Sequence, residues 1–345
     1  MPARMSSRAL AALTVACVAL SLAPAAWADP TPAIKVPAPG RDVRAWLMRI
    51  HQAAARQNFQ GTFVVSGGGN VASARMAHYC EGANQFERIE SLDGKARNVF
   101  RHNDVVHTMW PASKVAVVEQ RDLLNSFPAL LQAGGDGIAD WYDVQPQGVE
   151  RVAGYEADVL TVKPKDAYRY GYRLWSDQSS GLLLRADVLS ERGEVLETSA
   201  FSDIVIGVRS QPETVLQPMS KLDGYRVLRP VLRPTRLDVE GWVMRQVAPG
   251  FHQVSCVSRE MDDPGDAQAS GGAQQVLQAI YADGLTYVSV FIEPYSPKRH
   301  TRPMQAVVGA TRTLSMRQGD WWVTVVGDVP ATTLRLFATG LERKK

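Results

Sequence analysis

Residues 61–79 read GTFVVSGGGNVASARMAHY, and this stretch decides the fold class. Its two halves are rich in β-branched and aromatic residues, and the cluster of glycines with Asn70 between them is typical of a tight turn. The stretch therefore predicts two antiparallel strands joined as a hairpin. The glycines do not indicate a phosphate-binding loop, because such a loop is followed by a helix.

Short strands with polar turns continue from this hairpin as far as Glu119 and resume over 158–206. One amphipathic helix precedes them from Val43 to Ala54, where apolar residues recur at three- and four-residue spacing. The leucine-rich segment 121–132 predicts a second helix. Residues 41–210 are thus predicted to form one domain, a large curved antiparallel sheet (a half-barrel) with a few helices on one side.

The rest of the chain predicts a linker and a second domain. Residues 211–236 are punctuated by prolines and have weak periodicity, as interdomain linkers do. Residues 237–343 predict a smaller antiparallel α+β domain, with a hairpin turn at Asp283-Gly284 and a last helix that begins at Pro330. Within it, we interpret 306–316 as a single strand. The whole chain therefore belongs to the α+β class.

The N-terminus indicates export. Arg4 and Arg8 precede an apolar run over 9–22, and Ala26-Trp27-Ala28 follows as a small-residue cleavage site. This order predicts a signal peptide over residues 1–28. We therefore expect the mature protein in the periplasm.

Composition and motifs exclude several classes of function. The formal net charge is only +3 and no basic stripe runs along the chain, so we expect no nucleic-acid partner. The signatures of hydrolases, zinc proteases, nucleotide-binding loops and dinucleotide-binding folds are absent, so we expect no enzyme, no cofactor and no metal. Cys80 and Cys256 either pair in a disulfide or stay separate thiols, and the sequence leaves both open.

Large apolar residues on successive strands are the candidates for a binding cavity. Period-two alternation can place several of them on one concave face, where they form either an ordinary core beneath the helices or an incompletely covered lipid cavity. These candidates are Phe63, Val65, Met76, Phe86, Ile89, Phe100, Met109, Trp110, Trp175, Leu182 and Leu184.

An ordered set of short motifs across both predicted domains resembles the MucB/RseB family. One strand pair among them is also similar to the LolA/LolB lipoprotein carriers. The motifs are Trp46-Leu47-Met48-Arg49-Ile50, residues 58–64, Arg75-Met76-Ala77-His78, residues 87–94, residues 172–177 with 181–185, Gly241-Trp242-Val243, Pro249-Gly250-Phe251, residues 281–285 and residues 326–330.

The resemblance implies a regulator with no catalytic residues. Members of this family bind the periplasmic region of a transmembrane anti-sigma factor (MucA/RseA-like), shield it from regulated proteolysis, and are released when a LolA-like domain senses lipid or lipopolysaccharide. By this resemblance residues 41–210 sense the lipid, while residues 237–343 and the linker bind the partner. The oligomeric state stays open, a homo-oligomer included.

Two rival functions remain at this stage. A LolA-like carrier of lipids or lipoproteins would need only the first domain, which would leave the second unexplained. An exported hydrolase would need a cleft with a perturbed acid, base or nucleophile.

Overall fold

A computed structural model describes residues 43–120, 137–261 and 274–344. The predicted signal peptide and the helix predicted over 121–132 lie outside these residues. No helix in the described ranges is long and apolar enough to span a membrane.

The first half of the chain forms a twelve-stranded sheet with three helices in its described part. The elements in chain order are α1 (Val43–Arg56), β1 (Phe59–Gly67), β2 (Asn70–Glu81), β3 (Asn84–Ser91), β4 (Asn98–His102), β5 (Val105–Trp110), β6 (Val115–Gln120), α2 (Ile138–Trp141), β7 (Tyr142–Val152), β8 (Tyr155–Pro164), β9 (Gly171–Asp177), β10 (Leu183–Leu189), β11 (Val195–Ile206), α3 (Glu213–Ser220) and β12 (Arg226–Leu228).

The strand order across this sheet is β12-β6-β5-β4-β3-β2-β1-β11-β10-β9-β8-β7. The hairpin predicted at residues 61–79 is confirmed, since Gly67 pairs with Asn70 across a two-residue turn. The first helix is confirmed as well, and it buries Leu47 and Ile50. Every neighbouring pair of strands is antiparallel except β12, which lies parallel to β6.

The second half forms a seven-stranded sheet of order β13-β15-β16-β17-β20-β19-β18 and a separate pair, β14-β21. Its elements are β13 (Leu232–Pro234), β14 (Trp242–Met244), β15 (His252–Met261), β16 (Gln274–Ala282), β17 (Tyr287–Pro294), β18 (Met304–Val308), β19 (Thr311–Gln318), β20 (Trp321–Gly327), α4 (Ala331–Gly340) and β21 (Leu341–Arg343). Helix α4 packs Leu334 and Phe337 into the core of this sheet.

These elements confirm the predicted α+β class, with a large antiparallel sheet and a smaller second one. The structure adds detail to one sequence interpretation and corrects another. Residues 211–236, our predicted linker, contain α3, β12 and β13, so this segment contributes to both sheets. The single strand predicted over 306–316 is wrong, because the chain reverses at Gly309-Ala310 and forms the β18–β19 hairpin.

Candidate binding surfaces

Six of the eleven predicted cavity residues come together in one apolar cluster, which we call the central cluster. It is built from β1, β2, β3, β8, β9, β11 and the start of β10, with Val152 at the end of β7 packed against it, and it also takes Ala53 from α1. The six are Phe63, Met76, Ile89, Trp175, Leu182 and Leu184, and the cluster includes Phe59 and Phe201.

Three other candidates, Phe86, Phe100 and Met109, lie in a second cluster beneath α3, which we call the α3 cluster. The alternation of side chains along a strand explains the separation. Ile89 pairs with Met76, whereas Phe86, three positions earlier on β3, pairs with Tyr79 and so faces the other side of the sheet. Phe86 and Ile89 are an odd number of positions apart in the sequence. This spacing on one strand predicts that they lie on opposite faces of the sheet.

Val215 on α3 is fully buried in the α3 cluster, so the helix covers that face. Val65 and Trp110 belong to neither cluster and are half-buried. The fold thus brings six of the predicted residues together in the central cluster.

The central cluster is filled by its own side chains. The rings of Phe59 and Phe63 both meet Phe201 edge-on, with centroid distances of 5.8 and 5.7 Å. Phe63 and Ile89 keep partial exposure at its margin, whereas Met76 is buried.

A buried ion pair joins the two sheets. The side chains of Arg169, between β8 and β9, and Asp283, between β16 and β17, are both fully buried, and Arg169 Nη1 lies 2.8 Å from Asp283 Oδ2. Tyr142 donates its hydroxyl to the same oxygen at 2.8 Å. The other oxygen, Oδ1, accepts the backbone N–H groups of Leu285 and Thr286, each at 2.9 Å. The buried carboxylate is thus fully hydrogen-bonded.

The Arg169 guanidinium is held equally tightly. It donates to Asp166 Oδ1 at 3.1 Å and to the carbonyl oxygen of Pro249. Its carbon lies 5.0 Å from the ring centre of Trp141 and 5.2 Å from that of Phe251, within cation–π range. Because removal of one partner leaves the other charge buried, breaking such a pair costs about 3–5 kcal/mol.

Burial and the nearby Asp283 carboxylate raise the pKa of Tyr142 well above its ordinary value, so this phenol stays a neutral hydrogen-bond donor. Gly250 fits this site for a steric reason. Its φ is +79°, and a Cβ there would lie 2.5 Å from the Trp141 ring. We call this arrangement around Arg169 and Asp283 the junction.

A second set of contacts ties the β18–β19 hairpin to the first sheet. Arg312 donates from Nε to the Tyr170 hydroxyl at 2.7 Å, and the Ala310 N–H donates to Glu197 Oε2 at 3.3 Å. Burial raises the pKa of Glu197, and it raises the pKa of Asp328 as well. Glu197 lies on β11, which pairs with β1, so the hairpin contacts the strands that build the central cluster.

Sequence reasoning missed the junction. Arg169 and Asp283 are 114 positions apart, and Asp283 was interpreted as a turn residue. A long charged side chain in an apolar context, Tyr168-Arg169-Tyr170, was the available signal, but no sequence pattern names its partner.

The reactive groups that the sequence left open are the two cysteines. Cys80 and Cys256 are both free thiols. Burial raises the pKa of Cys80 and raises that of Cys256 to about 11, so both thiols are protonated at neutral pH and poor nucleophiles. Within the described ranges, no group of three His, Cys, Asp or Glu side chains could hold a metal ion.

Comparison with known proteins places the chain in a family. The model of the MucB/RseB N-terminal domain matches residues 42–219, and the model of the MucB/RseB C-terminal domain matches residues 236–342. The chain belongs to the MucB/RseB family. The sigma factor AlgU regulatory protein MucB of Pseudomonas aeruginosa is 30% identical over 308 residues, which cover 87% of this chain and 90% of that protein.

Other members give the same picture. The sigma-E factor regulatory protein RseB of Escherichia coli K12 is 24% identical over 299 residues, 86% of this chain and 90% of RseB. A crystal structure of MucB in complex with MucA(peri) superposes with a TM-score of 0.63 at 27% identity, covering 88% of this chain and 100% of MucB. The family is one of regulatory proteins.

Proposed function

We propose that this chain is a periplasmic regulator that binds the periplasmic region of a transmembrane anti-sigma factor. The observation that carries the proposal is the match to both family domains, together with the likeness to MucB solved in complex with MucA(peri). The predicted signal peptide supports the location.

Binding would shield the anti-sigma factor from regulated proteolysis. A protease requires an extended, accessible stretch of its substrate, so a regulator that covers this stretch blocks cleavage for as long as it stays bound. The second sheet offers a surface for such a partner, and the junction holds that sheet in a fixed relation to the first. The predicted division, with a lipid-sensing domain over 41–210 and a partner-binding domain over 237–343, belongs to this proposal.

Release would follow when a lipid or lipopolysaccharide enters the central cluster. Each methylene that the cluster buries contributes about 0.8 kcal/mol, so about ten of them correspond to the roughly 8 kcal/mol of micromolar binding. The lipid acts as a signal only if it binds the partner-free state better than the partner-bound state. Displacement of Phe63 on β1 would disturb β11, which pairs with β1. Because Glu197 on β11 accepts a hydrogen bond from Ala310, the disturbance would also reach the β18–β19 hairpin.

The proposal is tested with the mature chain and the purified periplasmic region of the anti-sigma factor from the same organism. We expect tight binding in a titration, protection of that region from the protease that cuts it first, and weakening of both by lipopolysaccharide. Binding of lipid without any protein partner would favour a LolA-like carrier instead. Binding to neither would refute the proposed function.

A further inference from the structure

The end strand β18 presents an open edge. It is joined to β19 by the two-residue turn Gly309-Ala310, with a φ of +59° at Gly309 and with Val308 paired to Thr311. In a hairpin of this kind the pair next to the turn is hydrogen-bonded and the following pair is not. The backbone N–H and C=O groups of Val307, and those of Gln305 two residues earlier, therefore point away from β19.

The other three end strands of the two large sheets carry the usual protection against pairing. In β7 a proline, Pro146, lies beside a break in the register before Gly148. The end strands β12 and β13 are only three residues long. By contrast, β18 (MQAVV) contains no charge, no proline and no break in register, and no strand of the described chain covers its outer edge.

Three of the five side chains of β18 are large, apolar and exposed. Met304, Val307 and Val308 are 50%, 57% and 63% exposed. Val307 pairs with Arg312, and Gln305 pairs with Leu314. Because Gln305 and Val307 are two positions apart on β18, Val307 and Leu314 lie on the same face of the hairpin. On this face a shallow groove of about 30 Å³ lies between the hairpin and α4, large enough for the tip of one aliphatic side chain.

Basic residues lie beside this edge. Residues 294–319 contain five Lys or Arg and no Asp or Glu, and the nearest carboxylates, Glu197 and Asp328, are hydrogen-bonded at the turn end of the hairpin. Arg335 on α4 lines the groove and is exposed, as is Arg302, two residues before the strand. The charge of this region is complementary to an acidic partner.

We propose that the outer edge of β18 binds an extended, acidic segment of the protein partner, which adds to the sheet as an eighth strand. This inference rests on the proposed function, which makes that partner the periplasmic region of the anti-sigma factor. A polypeptide fits this edge better than an acyl chain does. The outward N–H groups need hydrogen-bond acceptors and the outward C=O groups need donors; a second backbone supplies both, and an acyl chain supplies neither. Alternate side chains of the added strand would lie over the groove, and its acidic residues near Arg302 and Arg335.

The test compares two substitutions at one position. Val307→Pro removes the outward N–H, at a place where an edge strand tolerates proline, whereas Val307→Ala shortens the side chain and keeps the N–H. Binding of the periplasmic region to the full mature chain is measured by isothermal titration calorimetry. We expect Val307→Pro to weaken it by about tenfold or more, the effect of leaving a buried backbone group unpaired, and Val307→Ala by about threefold or less.

Charge reversal provides a second readout that does not touch the backbone. The double variant Arg302→Glu with Arg335→Glu should weaken binding by about tenfold at low salt and reduce its dependence on salt concentration. Arg209→Glu is the matched control, since Arg209 is equally exposed but lies outside this region. Circular dichroism of each variant reports whether it folds.

The outcomes separate the two proposals. If the wild-type chain fails to bind the periplasmic region, the proposed function is refuted and this inference with it. If the wild type binds and both the Val307→Pro and the double charge variants bind equally well, the inference alone is refuted. Loss of binding to vesicles of anionic lipid in the charge variants, with partner binding unchanged, would assign the edge to a membrane surface and would equally overturn it.

Discussion

The buried Arg169–Asp283 ion pair of the junction allows a quantitative prediction, because an exposed ion pair with the same separation, Arg236–Asp238, can serve as its control. In Asp283→Asn the amide oxygen can still accept the two turn N–H groups, and the NH₂ group can donate to the Tyr142 hydroxyl, but it cannot accept from the Arg169 guanidinium, which is only a donor. The mutant loses the charge-assisted hydrogen bond and leaves the guanidinium buried without this carboxylate.

The expected cost is about 3–5 kcal/mol, the loss found when one partner of a buried pair is removed. This is a large share of the roughly 5–15 kcal/mol that stabilises a typical folded chain. With a urea m-value of about 3 kcal/mol/M, the unfolding midpoint should fall by about 1–2 M.

Asp238→Asn is the matched control. The Arg236–Asp238 pair has the same 2.8 Å separation, but its side chains are 73% and 43% exposed. Solvent and salt screen such a pair, so the same chemical substitution should leave the urea midpoint unchanged within error. Separation is thus held constant while burial changes.

Urea unfolding followed by tryptophan fluorescence and by far-ultraviolet circular dichroism measures both variants. A midpoint for Asp283→Asn within about 0.3 M of the wild type would refute the reasoning, since it would mean that Arg169 finds equal compensation elsewhere. Adding Arg169→Met to Asp283→Asn should recover part of the loss, because it removes the buried charge that has lost its Asp283 partner.

Three further predictions concern other parts of the molecule. Burial raises the pKa of Asp328 above its ordinary 3.8, so the folded chain binds this proton at a higher pH than the unfolded chain does. Relative to Asp328→Asn, the wild type should therefore gain stability as the pH falls from 7 toward 4, and parallel urea midpoints would contradict this. Ile89→Asn should raise the lipopolysaccharide concentration that halves partner binding by about fivefold or more, whereas Val105→Asn, on the other face of the sheet, should not. Gly250→Ala should lower the free energy of unfolding in urea by about 1–3 kcal/mol more than Gly193→Ala does. Both glycines have φ near +80°, but only Gly250 lies against an indole ring, that of Trp141. Equal losses of unfolding free energy would show that the contact relaxes.

The proposed regulation depends on how firmly the two sheets are joined. Residues 211–236 are predicted as an interdomain linker, and the described residues from Val43 onward belong to one compact unit. With a buried ion pair at the junction and Arg312 bonded to Tyr170, a disturbance in the first sheet has direct routes to the second.

The sequence by itself determined the local structure. The alternating pattern and the glycine turn at residues 61–79 predicted the first hairpin, and apolar spacing predicted α1 and the helix after Pro330. These features depend on neighbours within a few positions, where side-chain period and turn geometry act directly on the backbone. The ordered motifs also sufficed to identify the family.

The tertiary structure alone decided which distant groups meet. Sequence cannot say that β12 lies parallel to β6, because that pairing depends on how the chain packs after α3. Nor does it place Arg169 against Asp283, since the free energy of that pair arises only when both charges leave water together. The open edge of β18 is also decided by the tertiary structure. A strand has an open edge when no other strand pairs with that side of it, and this depends on the strand order of the whole sheet.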